Sequence, residues 1–155
     1  SLDSRSATPN FLCGRCSLSF NVILDVALFP GANEAVRCER IPAAALGEDV
    51  TLKCNFIPSF DVLQVTWQKL EGSSFKNIAT YSKAHGIKSI GPFNKRVFFN
   101  DTSLKASSIT FRGVILEDET CYKCIFNAFP LGSFSRETCL IVHSIPSLVC
   151  LLLLW

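Results

Sequence analysis

Methionine is absent from this 155-residue chain. Without an initiator, the chain is expected to be processed or truncated at its start. Histidine occurs only as His85 and His143, and no serine or cysteine nucleophile stands at a spacing that suggests a catalytic triad. Asp118 and Glu119 are adjacent, so their side chains point apart and do not form an acid/base pair. Charge of one sign is lacking too. Fifteen basic residues face thirteen acidic ones, for a net charge of +2. Lys69, Lys76, Lys83, Lys88, Lys95, Arg96 and Lys123 are scattered and interleaved with acids, which is no footprint for nucleic acid. Long apolar runs are missing as well. The one at the C-terminus, Ser147 to Trp155, covers nine residues, where a spanning helix needs about twenty. It reads as the start of a truncated membrane helix, the tail of a lipid-anchor signal, or a consequence of where the chain is cut. No cofactor or metal is expected.

Apolar residues make up 48% and charged residues 18%, so a core is expected and disorder is not, over most of the length. Eight cysteines in a chain this short point to an oxidising compartment. The sequon Asn100-Asp101-Thr102 agrees with secretion and makes Asn100 the candidate glycan acceptor.

The organising pattern is a cysteine, Cys54, then Trp67 thirteen residues on, then Asp118-x-x-x-Tyr122-x-Cys124. That is the signature of an immunoglobulin β-sandwich. The expected fold is all-β and covers residues 35–144. Residues 1–34 are expected to be an N-terminal flank. Its apolar stretch Asn21–Phe29 reads as a signal remnant, a flanking strand or sequence that does not fold. Residues 145–155 are an apolar C-terminal flank.

Short alternating segments separated by turn signals support the sandwich. They run over 49–56, 63–70, 75–82, 85–90, 95–99, 108–114, 120–129 and 138–143. In the second, Leu63, Val65 and Trp67 take one face, and Gln64, Thr66 and Gln68 the other. The two segments within 75–90 exceed the seven strands of a constant-type domain. They mark the variable type, with strands C′ and C″.

Parity along the strands assigns the cysteines. Tyr122 and Cys124 share the inward face, so Cys124 is expected to bridge to Cys54 beneath Trp67, closing a loop of about 70 residues for about 4 kcal/mol. Cys121 then points outward on strand F. Leu140 and Val142 take the inward parity on strand G, which leaves Cys139 outward, so an extra F–G bridge, Cys121–Cys139, is expected. Asp118 is expected to be a structural acid paired with Lys95 or Arg96. Cys13-x-x-Cys16 imitates a redox pair, and with Cys121-x-x-Cys124 a four-cysteine zinc site. The first lacks a βαβ context, and the second would take Cys124 from Cys54. For Cys38 and Cys150 three readings stay open: pairing with another chain, with each other, or not at all.

Several segments resemble one family. They are Val65-Thr66-Trp67-Gln68-Lys69, His85-Gly86, Ile109-Thr110-Phe111, Leu116-Glu117-Asp118-Glu119-x-Cys121-Tyr122-x-Cys124-x-Phe126-Asn127-x-Phe129, and Thr138-Cys139-Leu140-x-Val142. Together they are similar to the first domain of the OX-two membrane glycoprotein family over about 35–144. The F–G bridge derived from parity is also one that family has. The resemblance implies a type I cell-surface ligand. It implies binding to an inhibitory immunoglobulin-like receptor on myeloid cells through the sheet of strands G, F, C and C′. Thr120 in place of glycine, and Pro130 in place of the first glycine of the F–G bulge, depart from the family's pattern.

Outward parity nominates Lys123, Ile125 and Asn127 on strand F, Ile141 and His143 on G, and Gln64, Thr66 and Gln68 on C as partner-binding residues. Ile125 and Ile141 are expected to form an exposed apolar patch. Phe129, Leu131 and Phe134 at the F–G turn are further candidates, because loops held on a rigid sandwich often carry contacts. Two further readings stay open: a homophilic adhesion module with weak self-association, and a soluble receptor decoy. The expected location is extracellular, on the cell surface, with anchoring supplied by the full-length protein.

Overall fold

Val50-Thr51-Leu52-Lys53-Cys54-Asn55-Phe56 alternates large apolar with polar residues, and each of its apolar side chains is buried. This period of two recurs along the chain because each strand has one face on a core and one toward water. A computed structural model describes residues 34–40, 43–101 and 103–144. In chain order the strands are β1 (Val36–Cys38), β2 (Ala44–Ala45), β3 (Val50–Phe56), β4 (Asp61–Glu71), β5 (Ser74–Ser82) and β6 (Gly86–Ser89). Then come β7 (Val97–Phe99), β8 (Ala106–Phe111), β9 (Cys121–Phe129), β10 (Gly132–Cys139) and β11 (Val142–His143). Short 3-10 turns cover Gly91–Lys95 and Leu116–Asp118.

One sheet has the order β1-β3-β8-β7, the other β10-β9-β4-β5-β6, and β11 runs parallel to β2. The five-stranded sheet corresponds to strands G, F, C, C′ and C″ of a variable-type domain. β4 and β5 form a hairpin, joined through Gly72-Ser73, where Gly72 takes a φ of 63°. A glycine first in a two-residue turn gives the twist that such a hairpin needs.

The two sheets enclose Leu52, Val65, Trp67, Ile78, Ile109, Phe111, Tyr122 and Phe126, all fully buried. Trp67 lies opposite Cys124 of β9, and Ser107 lies opposite Cys54 of β3. The Trp67 Nε1–H donates to Ser107 Oγ at 2.9 Å, so a hydrogen bond ties the sheets where a disulfide was expected.

That expected bridge, Cys54–Cys124, is corrected by the structure. Cys54 is bonded to Cys38, and Cys124 is a buried free thiol. The reason is β1. It pairs antiparallel with β3 and sets Cys38 directly opposite Cys54. The bridge closes a short loop of sequence separation 16, worth about 3 kcal/mol on the loop-entropy account. Burial pushes the Cys124 thiol well above its ordinary range, so it stays protonated and unreactive. Alkylation of the unreduced protein is therefore expected to leave Cys124 unlabelled when native and to label it once denatured, with the Cys38 and Cys54 peptides linked. A peptide map that joins Cys54 to Cys124 would contradict this.

Three further expectations change. Leu63 is 57% exposed rather than inward, because the β4–β9 register shifts between Val62 and Gln64. β10 begins at Gly132, six residues before the expected strand, because the turn after Phe129 leads directly into pairing with β9. Phe134 faces the core against Phe56, at 5.6 Å between ring centres, and is not a loop contact. The flanks 1–33 and 145–155 lie outside the described residues, and with them Cys13, Cys16 and Cys150. Among the described residues no helix is long and apolar enough to cross a membrane.

Candidate functional site: the outer face of the five-stranded sheet

Outward parity on β9 brings Lys123, Ile125 and Asn127 beside Gln68, Thr66 and Gln64 of β4, in register. On the other side Glu137, Ser135 and Ser133 of β10 face the same three. The polar groups of this face largely satisfy one another. Gln68 Nε2–H donates to Asn77 Oδ1 at 2.8 Å, Gln64 Nε2–H to Thr66 Oγ1 at 3.2 Å, and Ser133 Oγ–H to Asn127 Oδ1 at 2.5 Å. Lys123 forms an ion pair with Glu137 at 3.2 Å, and its ammonium sits 3.9 Å over the Phe75 ring. Thr66 is buried at the centre of the face.

Ile125 and Ile141 do not make one patch. Cys139 stands opposite Cys121, so Ile141 lies beyond that bridge, where the chain leaves β9 for β2. Four residues of extended strand separate Cys121 from Ile125, about 13 Å. His143 pairs with Ala45 at the same remote end. Ile125 itself is only half-buried between its neighbours.

Three other exposed apolar side chains gather at the opposite end of this face. Phe129 (66% exposed), Leu131 (51%) and Leu63 project there. Asp61 is the register partner of Phe129, and the bulged Leu63 stands beside the Val62–Ala128 and Gln64–Asn127 pairs. Leu63 walls two adjoining grooves of about 400 and 380 Å³. Asn127, Phe129, Pro130 and Ser133 line the first, and Asp61, Lys83 and Ala84 the second. Phe129 and Leu131 were legible as turn residues. Leu63 was not, because strict alternation places it inward and only the bulge turns it out. Gly132, at φ 99°, closes the turn in a backbone region that favours glycine.

The support for this face comes from four fastenings. Cys121 is bonded to Cys139, joining β9 to β10. That excludes a zinc site built on Cys121. The Tyr122 hydroxyl donates to Asp118 O at 2.8 Å, the tyrosine-corner bond. Burial, then the charge of Asp118, hold the Tyr122 phenol well above its ordinary range, so it remains a donor. Arg96, rather than Lys95, pairs with Asp118. Thr120, where glycine is usual, uses its hydroxyl to donate to Leu70 O at 3.0 Å. Asn100 is exposed, with its Nδ2–H donating to Thr110 Oγ1, and Thr102 of the sequon lies outside the described residues. Among the described residues no group of three or more His, Cys, Asp or Glu side chains could hold a metal ion.

Comparison with known proteins agrees with this architecture. The family model of the immunoglobulin V-set domain matches residues 39–143. The human OX-2 membrane glycoprotein is 38% identical over 96 residues, which cover 62% of this chain and 34% of that protein. Zebrafish nectin 1b is 32% identical over 127 residues, covering 75% of this chain and 24% of its own length. The chain thus spans about a third of the OX-2 glycoprotein and a smaller part of the nectin. The solved structure of murine CRIg superposes with a TM-score of 0.59 at 17% identity, over 70% of this chain and 98% of its own, which bears on fold alone. The chain belongs to the immunoglobulin V-set family.

Proposed function

We propose that this chain is the recognition module of a cell-surface immunoregulatory ligand. Its partner would be an inhibitory immunoglobulin-like receptor on myeloid cells, as the likeness to the OX-2 glycoprotein implies. The module would sit outside the cell, anchored by the full-length protein, with Asn100 as its glycan acceptor. The observation that carries this reading is the cluster of Phe129, Leu131 and Leu63 at one end of a face whose polar groups are already paired. Exposed aromatic and aliphatic anchors beside a polar rim supply most of the energy in interfaces of moderate size. Lys123, Asn127, Gln64 and Gln68 form that rim. Ile125 would be a minor contact, and Ile141 and His143 lie too far along the strand to share it.

The test is binding of the chain, displayed as a multimer, to myeloid cells with and without an OX-2-type inhibitory receptor. Receptor-dependent staining that weakens on Lys123→Glu is the expected result. Staining that ignores the receptor would overturn the reading.

A second reading, homophilic adhesion, draws support from the ridge of Leu63 standing between two grooves of its own surface. A ridge beside a groove is the shape a two-fold pair can share, and nectin 1b is among the relatives. Sedimentation at micromolar concentration separates the two. A dimer dispersed by Leu63→Asp favours adhesion, and a monomer favours the receptor ligand.

A further inference from the structure

On the outer face of the four-stranded sheet, Thr51 and Lys53 of β3 stand beside Thr110 and Ser108 of β8, in register. Phe98 of the edge strand β7 stands directly opposite Thr110. Val97 is buried in the core, and Phe99 packs against it and against Tyr81, at 6.0 Å between ring centres. Alternation therefore turns Phe98, between them, outward onto a polar face, where it is only half-buried.

One flank of the Phe98 ring is covered. The Arg112 guanidinium lies 4.2 Å from the ring centre. It comes from the Arg96 end of β7, since the Arg112 N–H donates to Arg96 O at 2.9 Å. On the other flank, two residues along the strand, stands Asn100 of the sequon. Its backbone N–H donates to Ser108 O at 3.1 Å, so the pairing of β7 with β8 runs on to it and its side chain shares the face of Phe98. The exposed carboxamide is held in place. Its Nδ2–H donates to Thr110 Oγ1, which lies 2.7 Å from Thr51 Oγ1. Thr110 thus stands across from Phe98 and against Asn100 at once.

A carboxamide has two N–H bonds, and Thr110 uses one. N-glycosylation uses the other. A bond forms from Nδ2 to C1 of N-acetylglucosamine, the C1–O bond of a lipid-pyrophosphate-linked oligosaccharide breaks, and the amide proton and the pyrophosphate leave. The bond to Thr110 survives this step and fixes the side chain that carries the sugar. Phe98 and Asn100 are about 7 Å apart along the strand, a gap that the first sugar spans. The C–H bonds on one side of that sugar are slightly positive, and the face of a phenyl ring is negative.

We infer that the first N-acetylglucosamine on Asn100 packs on the Phe98 ring, which makes Phe98 a carbohydrate platform on the outer face of the four-stranded sheet. This rests on Asn100 as the glycan acceptor and goes on to assign the residue that holds the glycan. The glycan then covers the four-stranded sheet and its edge strand β7, and leaves the five-stranded sheet open to a partner.

The test uses the full chain secreted from mammalian cells that add only high-mannose glycans. Mass spectrometry reads the occupancy of Asn100. Endoglycosidase H trims the glycan to one sugar, and Thr102→Ala gives the sugar-free protein with Asn100 intact. Phe98→Leu is made in both. The one-sugar protein is expected to unfold at a urea concentration about 0.5 M above the sugar-free one, and Phe98→Leu to remove that gain. In the wild-type protein, NMR should show sugar protons shifted upfield by the Phe98 ring, a reading that needs no variant. An Asn100 without glycan would overturn the acceptor reading and the inference together. An occupied Asn100 with an equal gain in both backgrounds, or with unshifted sugar protons in the wild type, would overturn the inference alone.

Discussion

Replacing Arg96 by methionine is expected to destabilise the domain by about 3–5 kcal/mol, because it strands a buried carboxylate. Asp118 is 1% exposed. Its Oδ2 accepts from Arg96 Nη2 at 2.5 Å and from the Ile115 amide at 2.9 Å, and Oδ1 lies 3.4 Å from Arg96 Nη1. Arg96 Nη2 also reaches Gly113 O at 3.1 Å. The guanidinium thus clips the loop before β9 to the start of β7, directly upstream of the Tyr122–Asp118 bond. Methionine fills the space of the alkyl stem but leaves Asp118 with one backbone donor. Lysine restores charge without the fork, so Arg96→Lys should lose less than methionine but not recover the wild-type value. Asp118→Asn in the Arg96→Met background should regain part of the loss, since no ion is then left unpaired. Urea unfolding of the four proteins checks this. A loss below about 1 kcal/mol for Arg96→Met would place the pair among surface salt bridges and contradict the argument.

Trp67→Ala is expected to cost a similar amount, about 3–5 kcal/mol, by a different route. Trp67 is fully buried between Cys124 and the opposite sheet. Alanine removes most of its apolar surface and leaves a cavity that flanking strands cannot close without breaking register. It also leaves Ser107, 2% exposed, without its indole donor. The hydroxyl partner alone is worth less, so Ser107→Ala should cost only about 1 kcal/mol. Equal losses from Trp67→Ala and Ser107→Ala would mean that the hydrogen bond, rather than packing, carries the contact. Thermal or urea unfolding distinguishes the two.

The parts of this fold that were legible in the sequence are those set by strict alternation over several residues. Tyr122 and Cys124 announce the inward face of β9, and from it the outward Cys121 and its bridge to Cys139 follow by counting. The paired segments that become β5 and β6 were legible because polar turns part them. What escaped is short, bulged or edge-like. β1 spans three residues, too few for a period, and so Cys38 had no visible strand to place it against Cys54. β10 holds one apolar residue, Phe134, before Cys139, because an edge strand on a solvated face has little to bury. At Leu63 one bulge reverses the parity of a single side chain and moves it from core to surface. At Ile141 parity was correct and distance was not, since alternation reports the face of a strand but not how far along it a residue lies. The candidate site was therefore legible as a sheet face, and the loop end where its apolar surface gathers was legible only in part.

Binding of a protein partner by this loop end is tested most directly by titrating an immobilised OX-2-type receptor ectodomain with the wild-type chain and with Phe129→Asp. Phe129 is exposed, so its replacement should leave the fold intact, which circular dichroism and the unfolding midpoint would verify. The wild-type chain should bind, and Phe129→Asp should lose at least about 30-fold in affinity, the loss typical of a central aromatic anchor. Equal affinity of the two proteins, or no binding by a well-folded wild-type chain, would contradict the account.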